Sequence, residues 1–289
     1  MNLFIFGIGF SGFEIAKSAI AEGASVAGTT RSVEKATRLT EEGIEPFLFG
    51  GAALDAALAA RLSSVTHLVI SIAPDAAGDP VLNALGGDLA PAMPALEWTG
   101  YLSTVGVYGD HGGACVDEET LCRPVSARSI ERLRAEALWR AAAEAAGKPL
   151  AILRLSSIYG PGRNAFVNLE DGSAKRIIRP GQYFNRIHVA DIAGAGMMLA
   201  SKRTSGLFNV TDDEPAPPQD VVTYAAGLMG IEPPPEMPYA EAEMTPMARS
   251  FYGEVKRVSN AKIRAAGYNF VYPDYRTALD DMWHNRRWR

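Results

Sequence analysis

Gly7, Gly9 and Gly12 follow the spacing G-x-G-x-x-G close to the start of the chain, a pattern suited to holding a diphosphate against bare backbone. Gly7 allows a tight turn, Gly9 has no Cβ to keep a pyrophosphate away, and Gly12 lets a following helix approach the strand. The flanks agree. Asn2 to Phe6 is a short apolar run of strand type, and Phe13 to Ile20 has helical spacing. The N-terminus of that helix would offer unpaired N–H groups and a partial positive charge to the phosphates. The bland alternative is a glycine turn before an ordinary helix. The strand on one side and the helix on the other favour dinucleotide binding by Gly7, Gly9, Phe10, Ser11 and Gly12.

The type of dinucleotide is read at the end of the second strand. A carboxylate there would hold a ribose hydroxyl and repel a 2′-phosphate. This chain has Thr30, Arg31 and Ser32 instead. Arg31 could pair with a phosphate through two parallel N–H bonds, so the expected cofactor is NADP(H), with NAD as the alternative. Ser71, near the end of a later apolar strand, and Ala73 and Pro74 just after it are expected beside the same ligand.

These groups need a scaffold, and the first half of the chain supplies one. Strands are expected at 24–30, 44–49, 67–72 and 101–104, with helices at 33–41, 52–62 and 81–89 between them. Ser32 is placed to cap the 33–41 helix, and Pro46 suggests an edge strand or an early position in its strand. Such alternation predicts a parallel sheet covered by helices on both faces. The 289 residues suffice for one large domain with a smaller lobe. A formal net charge of -5 argues against nucleic-acid binding, which needs clustered Lys and Arg; the local exception, 286–289, reads as a solvated basic helix end. Cys115 and Cys122 are too few for a disulfide framework and wrongly spaced for zinc, so no metal is expected and a reducing, cytoplasmic setting fits. No apolar run reaches membrane-spanning length, and the N-terminal apolar stretch, used as a strand and without a basic leader, is not expected to be a signal peptide.

Further motifs fall in order. Tyr101 to Asp110 reads YLSTVGVYGD, Arg154 to Gly162 reads RLSSIYGPG, and Arg186 to Ala193 reads RIHVADIA. Together with the glycine turn they resemble the extended short-chain dehydrogenase/reductases, the family of nucleotide-sugar epimerases and dehydratases, over residues 1 to about 210. The resemblance implies a doubly wound parallel sheet, a Rossmann fold spanning 1–165 with 186–212 returning to it. It also implies a C-terminal substrate lobe formed mainly by 166–289. Its chemistry uses a Ser or Thr hydroxyl on the substrate oxygen, and a Tyr and a Lys four apart on a helix. Thr104 falls on the hydroxyl position. Aligning Glu136 with the acid that often follows the family's Lys puts Arg128 in place of Tyr and Arg132 in place of Lys. Arginine stays protonated, so Arg128 cannot exchange a proton with an alcohol or ketone near neutral pH. Arg132 could still hold a ribose hydroxyl.

Tyr108 and Tyr159, in loops that the resemblance puts beside the cleft, are alternative acids, as is His188; packing roles compete with each. Asp117, Glu118 and Glu119 read as a loop cluster that caps or pairs with an arginine. Lys175, Arg176 and Arg179 could meet a nucleotide diphosphate or lie in a solvated loop. Residues 233–238 read as a stiff connector, Met244, Met247 and Phe251 as core of the lobe, and the last helix as starting at 272–275. The expected activity is that of an NADP(H)-dependent epimerase-, dehydratase- or reductase-like enzyme acting on a nucleotide sugar or other anionic carbonyl compound, with a homodimer allowed for. The rival is a non-catalytic dinucleotide sensor.

Overall fold

The computed structural model describes residues 1–289, the side chain of Met247 excepted, so the core role expected of Met247 lies outside the described residues. The backbone forms two compact units. The first holds Met1–Val107, Val125–Arg154 and Ile192–Phe208; the second holds Tyr108–Pro124, Leu155–Asp191 and Asn209–Arg289.

A seven-stranded sheet organises the first unit. Its strands are β1 (Asn2–Phe6), β2 (Ser25–Thr30), β3 (Glu45–Leu48), β4 (His67–Ile70), β5 (Trp98–Thr104), β6 (Leu150–Leu155) and β7 (Gly206–Val210), in the order β7-β6-β5-β4-β1-β2-β3. Around β1 the pairings are parallel, with Phe4 opposite Ala27 on one side and Leu68 on the other. Strand β3 carries Pro46 and lies at the sheet edge, where a missing N–H costs least. Leu3, Phe4, Ile5 and Phe6 are all buried, because helices cover both faces and no alternation is required. Phe4, Phe6, Leu68, Ile70, Tyr101 and Trp139 form the heart of one core on this sheet.

Helix α1 (Phe10–Ala21) follows β1 directly, and α2 (Val33–Glu41) follows β2. Ser32 Oγ accepts the Lys35 N–H and caps α2 as its sequence predicts. Helix α3 (Ala56–Leu62) is shorter than expected, because Asp55 caps it by accepting the Leu58 N–H. The single helix expected at 81–89 is two, α4 (Pro80–Ala84) and α5 (Leu89–Ala92). Gly86 and Gly87 lie between them at φ +65° and +77°, a left-handed turn that a continuous helix cannot contain. Buried Asp79 caps α4 through the Val81 and Leu82 N–H groups, and its other oxygen accepts the Trp139 indole N–H at 3.0 Å. Trp139 belongs to α6 (Ala127–Ala145), which Ser126 caps.

The second unit has short elements. Helix α7 (Ala165–Glu170) is followed by a strand at Arg176–Ile178, which pairs with Glu236–Pro238. Those last residues were expected to be a connector; a two-stranded ribbon tolerates their prolines because each strand has an unpaired side. Helices α8 (Val189–Ser201), α9 (Pro218–Met229), α10 (Pro246–Tyr252), α11 (Ala261–Ala265) and α12 (Tyr275–His284) complete the chain. Asp274 caps α12, so that helix opens later than Tyr272. Met244 packs, partly buried, with Ile177, Ala242 and Tyr252, whereas Phe251 is 47% exposed and is not core. The basic C-terminus is not simply solvated: Trp288 is buried with Phe166 and Trp283, and Arg287 and Arg289 pair with Asp281 and Glu170.

Candidate functional site

The turn between β1 and α1 is built by its glycines. Gly7 sits at φ +89°, and a Cβ there would stand 2.7 Å from Ile72 Cγ1. Its N–H donates to Thr29 Oγ1 at 2.8 Å. A Cβ on Gly12 would meet the Gly7 carbonyl oxygen at 2.7 Å, so the absence of a side chain sets the closeness of helix to strand. Nothing lies within 4 Å of the place a Gly9 Cβ would take. That open space beside backbone is the seat a diphosphate needs. Gly9 is also the N-cap of α1 with no side chain bonded over the helix end, so the dipole faces the seat. Gly28 is a glycine that sequence reading passed over: a Cβ there would lie 2.6 Å from the Ile5 carbonyl oxygen and against Ile8.

A cavity of about 720 Å³ opens from this turn. Gly7, Gly9, Thr30, Arg31, Ser32, Ser71 and Ala73 line it; Phe10, Ser11, Gly12 and Pro74 do not. Ser11, Gly12 and Pro74 are buried behind the wall. Lys35 lines the cavity too, and was missed. Its N–H bond to Ser32 Oγ, with the Ser32 N–H donating to Thr30 Oγ1 at 3.3 Å, holds the first turn of α2 against the end of β2. Asp75 is the single carboxylate on the wall, and its Oδ1 is engaged by the Ala77 N–H within a tight turn.

The far end of β5 meets the start of α6. Thr104 Oγ1 accepts the Gly106 N–H at 3.1 Å. Arg128 is exposed and has no hydrogen bond or ion pair among the described residues. Arg132 donates to the Leu102 carbonyl at 2.8 Å and to Tyr101 Oη at 3.3 Å, which ties α6 to β5. Burial pushes the Tyr101 phenol well above its ordinary range despite that cation. One turn further, buried Glu136 accepts Ser103 Oγ at 2.5 Å and a two-bond fork from Arg154 at 3.1 and 2.8 Å. This network anchors α6 to β5 and β6.

The remaining candidates belong to the second unit. Tyr108 is buried and donates to Asn209 Oδ1 at 2.7 Å. Tyr159 is driven well above the ordinary tyrosine range by burial, with the Asp212 carboxylate adding to it, and its hydroxyl has no partner among the described residues. Burial lowers His188 to about 4; its Nδ1 accepts the Ala190 N–H, and its ring meets Tyr159 edge-on at 5.3 Å. Of the two roles expected for the acidic cluster, capping is the one seen: Asp117 Oδ1 accepts the Glu119 N–H and the Thr120 hydroxyl, and Glu118 accepts the Asn209 N–H. Of the lobe cations, Arg176 pairs with Glu236, Lys175 donates to the Glu243 carbonyl, and Arg179 lies 5.1 Å from the Tyr239 ring. One Tyr-x-x-x-Lys spacing, overlooked in the sequence, occurs at Tyr252 and Lys256. It is not a helical pair, since α10 ends at Tyr252, and Lys256 Nζ is held by the Gly109 carbonyl and Glu254. Among the described residues no group of three His, Cys, Asp or Glu could hold a metal ion, and no helix is long and apolar enough to cross a membrane.

Comparison with known proteins follows the same lines. Over 99% of each chain the fold matches a functionally unknown conserved protein from Silicibacter pomeroyi DSS, with TM-score 0.89 and 42% identity. It also matches a human epimerase family protein solved with NADPH, at TM-score 0.75 and 20% identity over 99% of this chain and 100% of that one, a likeness of fold alone. A curated relative, the 3-diazoavenalumate denitrifying reductase of a Streptomyces species, is 28% identical over 143 residues. That stretch spans 44% of this chain and 45% of the reductase, less than half the relative's length. Residues 3–210 match the NAD dependent epimerase/dehydratase family, and with the parallel sheet, glycine turn and motif order in place, the chain belongs to that family.

Proposed function

We propose that this chain binds NADP(H) in the cavity beside the glycine turn and acts as an epimerase- or reductase-type enzyme on a small carbonyl or alcohol substrate. The observation that carries the proposal is the open backbone at Gly9, continuous with a wall that presents Arg31 and Lys35 and no carboxylate at the end of β2. Gly7, Gly9 and the α1 N-terminus would hold the diphosphate, and Ser71 and Ala73 would border the ligand further along. Arg31, Lys35, Ser32 and Thr30 would take a 2′-phosphate. The dinucleotide supplies hydride chemistry when bound; the protein positions it. Thr104 would donate to the substrate oxygen, and Arg128, with no partner of its own, would hold an anionic group such as a carboxylate or a sugar-nucleotide phosphate. Family membership and a fold-mate solved with NADPH support this reading.

Fluorescence titration with NADPH and NADH tests it. Tight, saturable NADPH binding with weaker NADH binding is expected; no binding of either removes the proposal, and equal affinity removes the role given to Arg31. Turnover of NADPH with a panel of ketones and nucleotide sugars, lost on Thr104→Ala, is the expected catalytic result. A second reading, a non-catalytic dinucleotide sensor, is favoured by one observation: Arg132 is committed to Tyr101 and Leu102, and Arg128 cannot exchange a proton. Tight NADPH binding with no turnover across the panel would favour that reading.

A further inference from the structure

With arginine at position 128, a proton for a reacting oxygen has to come from another side chain. The next residue offers one. Ser129 is buried, and its Oγ accepts a 2.8 Å hydrogen bond from Ser126 Oγ, whose oxygen in turn accepts the Ser129 backbone N–H at 3.2 Å. That direction leaves the Ser129 hydroxyl hydrogen without an acceptor among the described residues. A Cβ built on Gly106 would stand 2.8 Å from Ser129 Oγ and 3.3 Å from Thr104 Oγ1. Two hydroxyls, one from the end of β5 and one from the first turn of α6, therefore border the same bare glycine. Thr104 Oγ1 already accepts the Gly106 N–H, so it too has a hydrogen to donate. The anchor formed by Glu136, Arg154 and Ser103 fixes the helix that carries Ser129.

We propose that Ser129 is a further catalytic residue. Thr104 and Ser129 together donate to the substrate oxygen at the Gly106 face, and Ser126 is the positioning hydroxyl that resupplies the proton. This rests on the carbonyl or alcohol chemistry proposed above. In the reducing direction the carbonyl carbon gains a hydride from the reduced nicotinamide of that reading, and the C=O π pair moves onto oxygen. The oxygen takes the Ser129 proton, Ser129 takes the Ser126 proton, and half-buried Ser126 takes one from water, which leaves hydroxide in bulk solvent. The carbonyl has then gained one hydride and one proton, and both serines are restored. Neither serine has to carry a charge between transfers, so their high pKa is no obstacle.

A test uses trifluoroacetone, followed by fluorine NMR, binding to the full-length protein saturated with oxidised NADP, where no turnover can occur. Wild type should bind the probe saturably. Ser129→Ala should weaken probe binding about tenfold, the loss of one well-formed hydrogen bond, with NADP affinity unchanged. Gly106→Ala, whose methyl would stand 2.8 Å from Ser129 Oγ and push that hydroxyl aside, should abolish probe binding while the cofactor still binds. Ser129→Thr should restore part of it. Undiminished probe binding by Ser129→Ala overturns the proposal, as does a wild type that binds NADP but not the probe; in the second case the cofactor reading survives. A wild type that binds neither NADP nor NADPH overturns both.

Discussion

Arg31 and Lys35 are the residues on which cofactor choice turns. Both line the cavity, and Glu34, the nearest carboxylate in sequence, is occupied with Arg38 away from it. Arg31→Glu should lower NADPH affinity by one to two orders of magnitude and leave NADH binding within about threefold, since only the phosphate contact is charged. Lys35→Ala should have the same sign and a smaller size; fluorescence titration at fixed ionic strength checks both. His188 gives a prediction of a different kind. Burial holds it neutral in the folded chain, with a pKa of about 4, while the unfolded chain titrates near the ordinary value of 6.5. The unfolded state therefore takes up the proton first as pH falls. His188 contributes full stability above pH ~6.5, and that contribution shrinks between pH ~6.5 and ~4, by on the order of a few kcal/mol. Urea unfolding of wild type and His188→Asn across that range should converge as pH drops; parallel curves would show that His188 is not the group responsible.

Among the elements, α6 is the one whose position the candidate chemistry depends on, and a buried ion pair holds it there. Replacing Glu136 with Ala would remove the carboxylate that forks onto buried Arg154, and should cost about 3–5 kcal/mol in urea denaturation. The double substitution Glu136→Leu with Arg154→Met should recover much of that loss, because what is penalised is the uncompensated charge. The same scale shows what could be read from sequence. The β1–α1 turn was legible because its glycines answer to local backbone geometry, and Ser32 and Pro46 were legible because caps and edges obey local rules. Lys35, Ser129 and the split at Gly86 and Gly87 were not. The first two acquire meaning only when the end of one strand meets the first turn of a helix. In the third, apolar residues on either side mimicked a continuous helix. The short pairings of the second unit, such as Arg176–Ile178 with Glu236–Pro238, join residues far apart in sequence and leave no periodic trace.

For the whole molecule, the cavity is formed by residues of the first unit alone. The four tryptophans divide conveniently: Trp98 and Trp139 lie in the first unit, Trp283 and Trp288 in the second. Saturating NADPH at a hundred times its Kd should stabilise the first unit by about 2.7 kcal/mol. In variants keeping one tryptophan pair, the urea midpoint reported by Trp98 and Trp139 should rise at least as much as that reported by Trp283 and Trp288. A shift confined to Trp283 and Trp288 would mean that the ligand is bound elsewhere. The interleaving of the two units also bears on how the gene can be cut. The chain leaves and re-enters the first unit repeatedly, and β7, the outermost strand, comes from residues near 206–210. A clone that stops after the apparent nucleotide domain, near residue 165, would omit that strand and present the bare side of β6 as a template for sticking to other copies. Exchange of the substrate half between relatives by a single splice would fail for the same reason; a viable chimera needs junctions at every crossing.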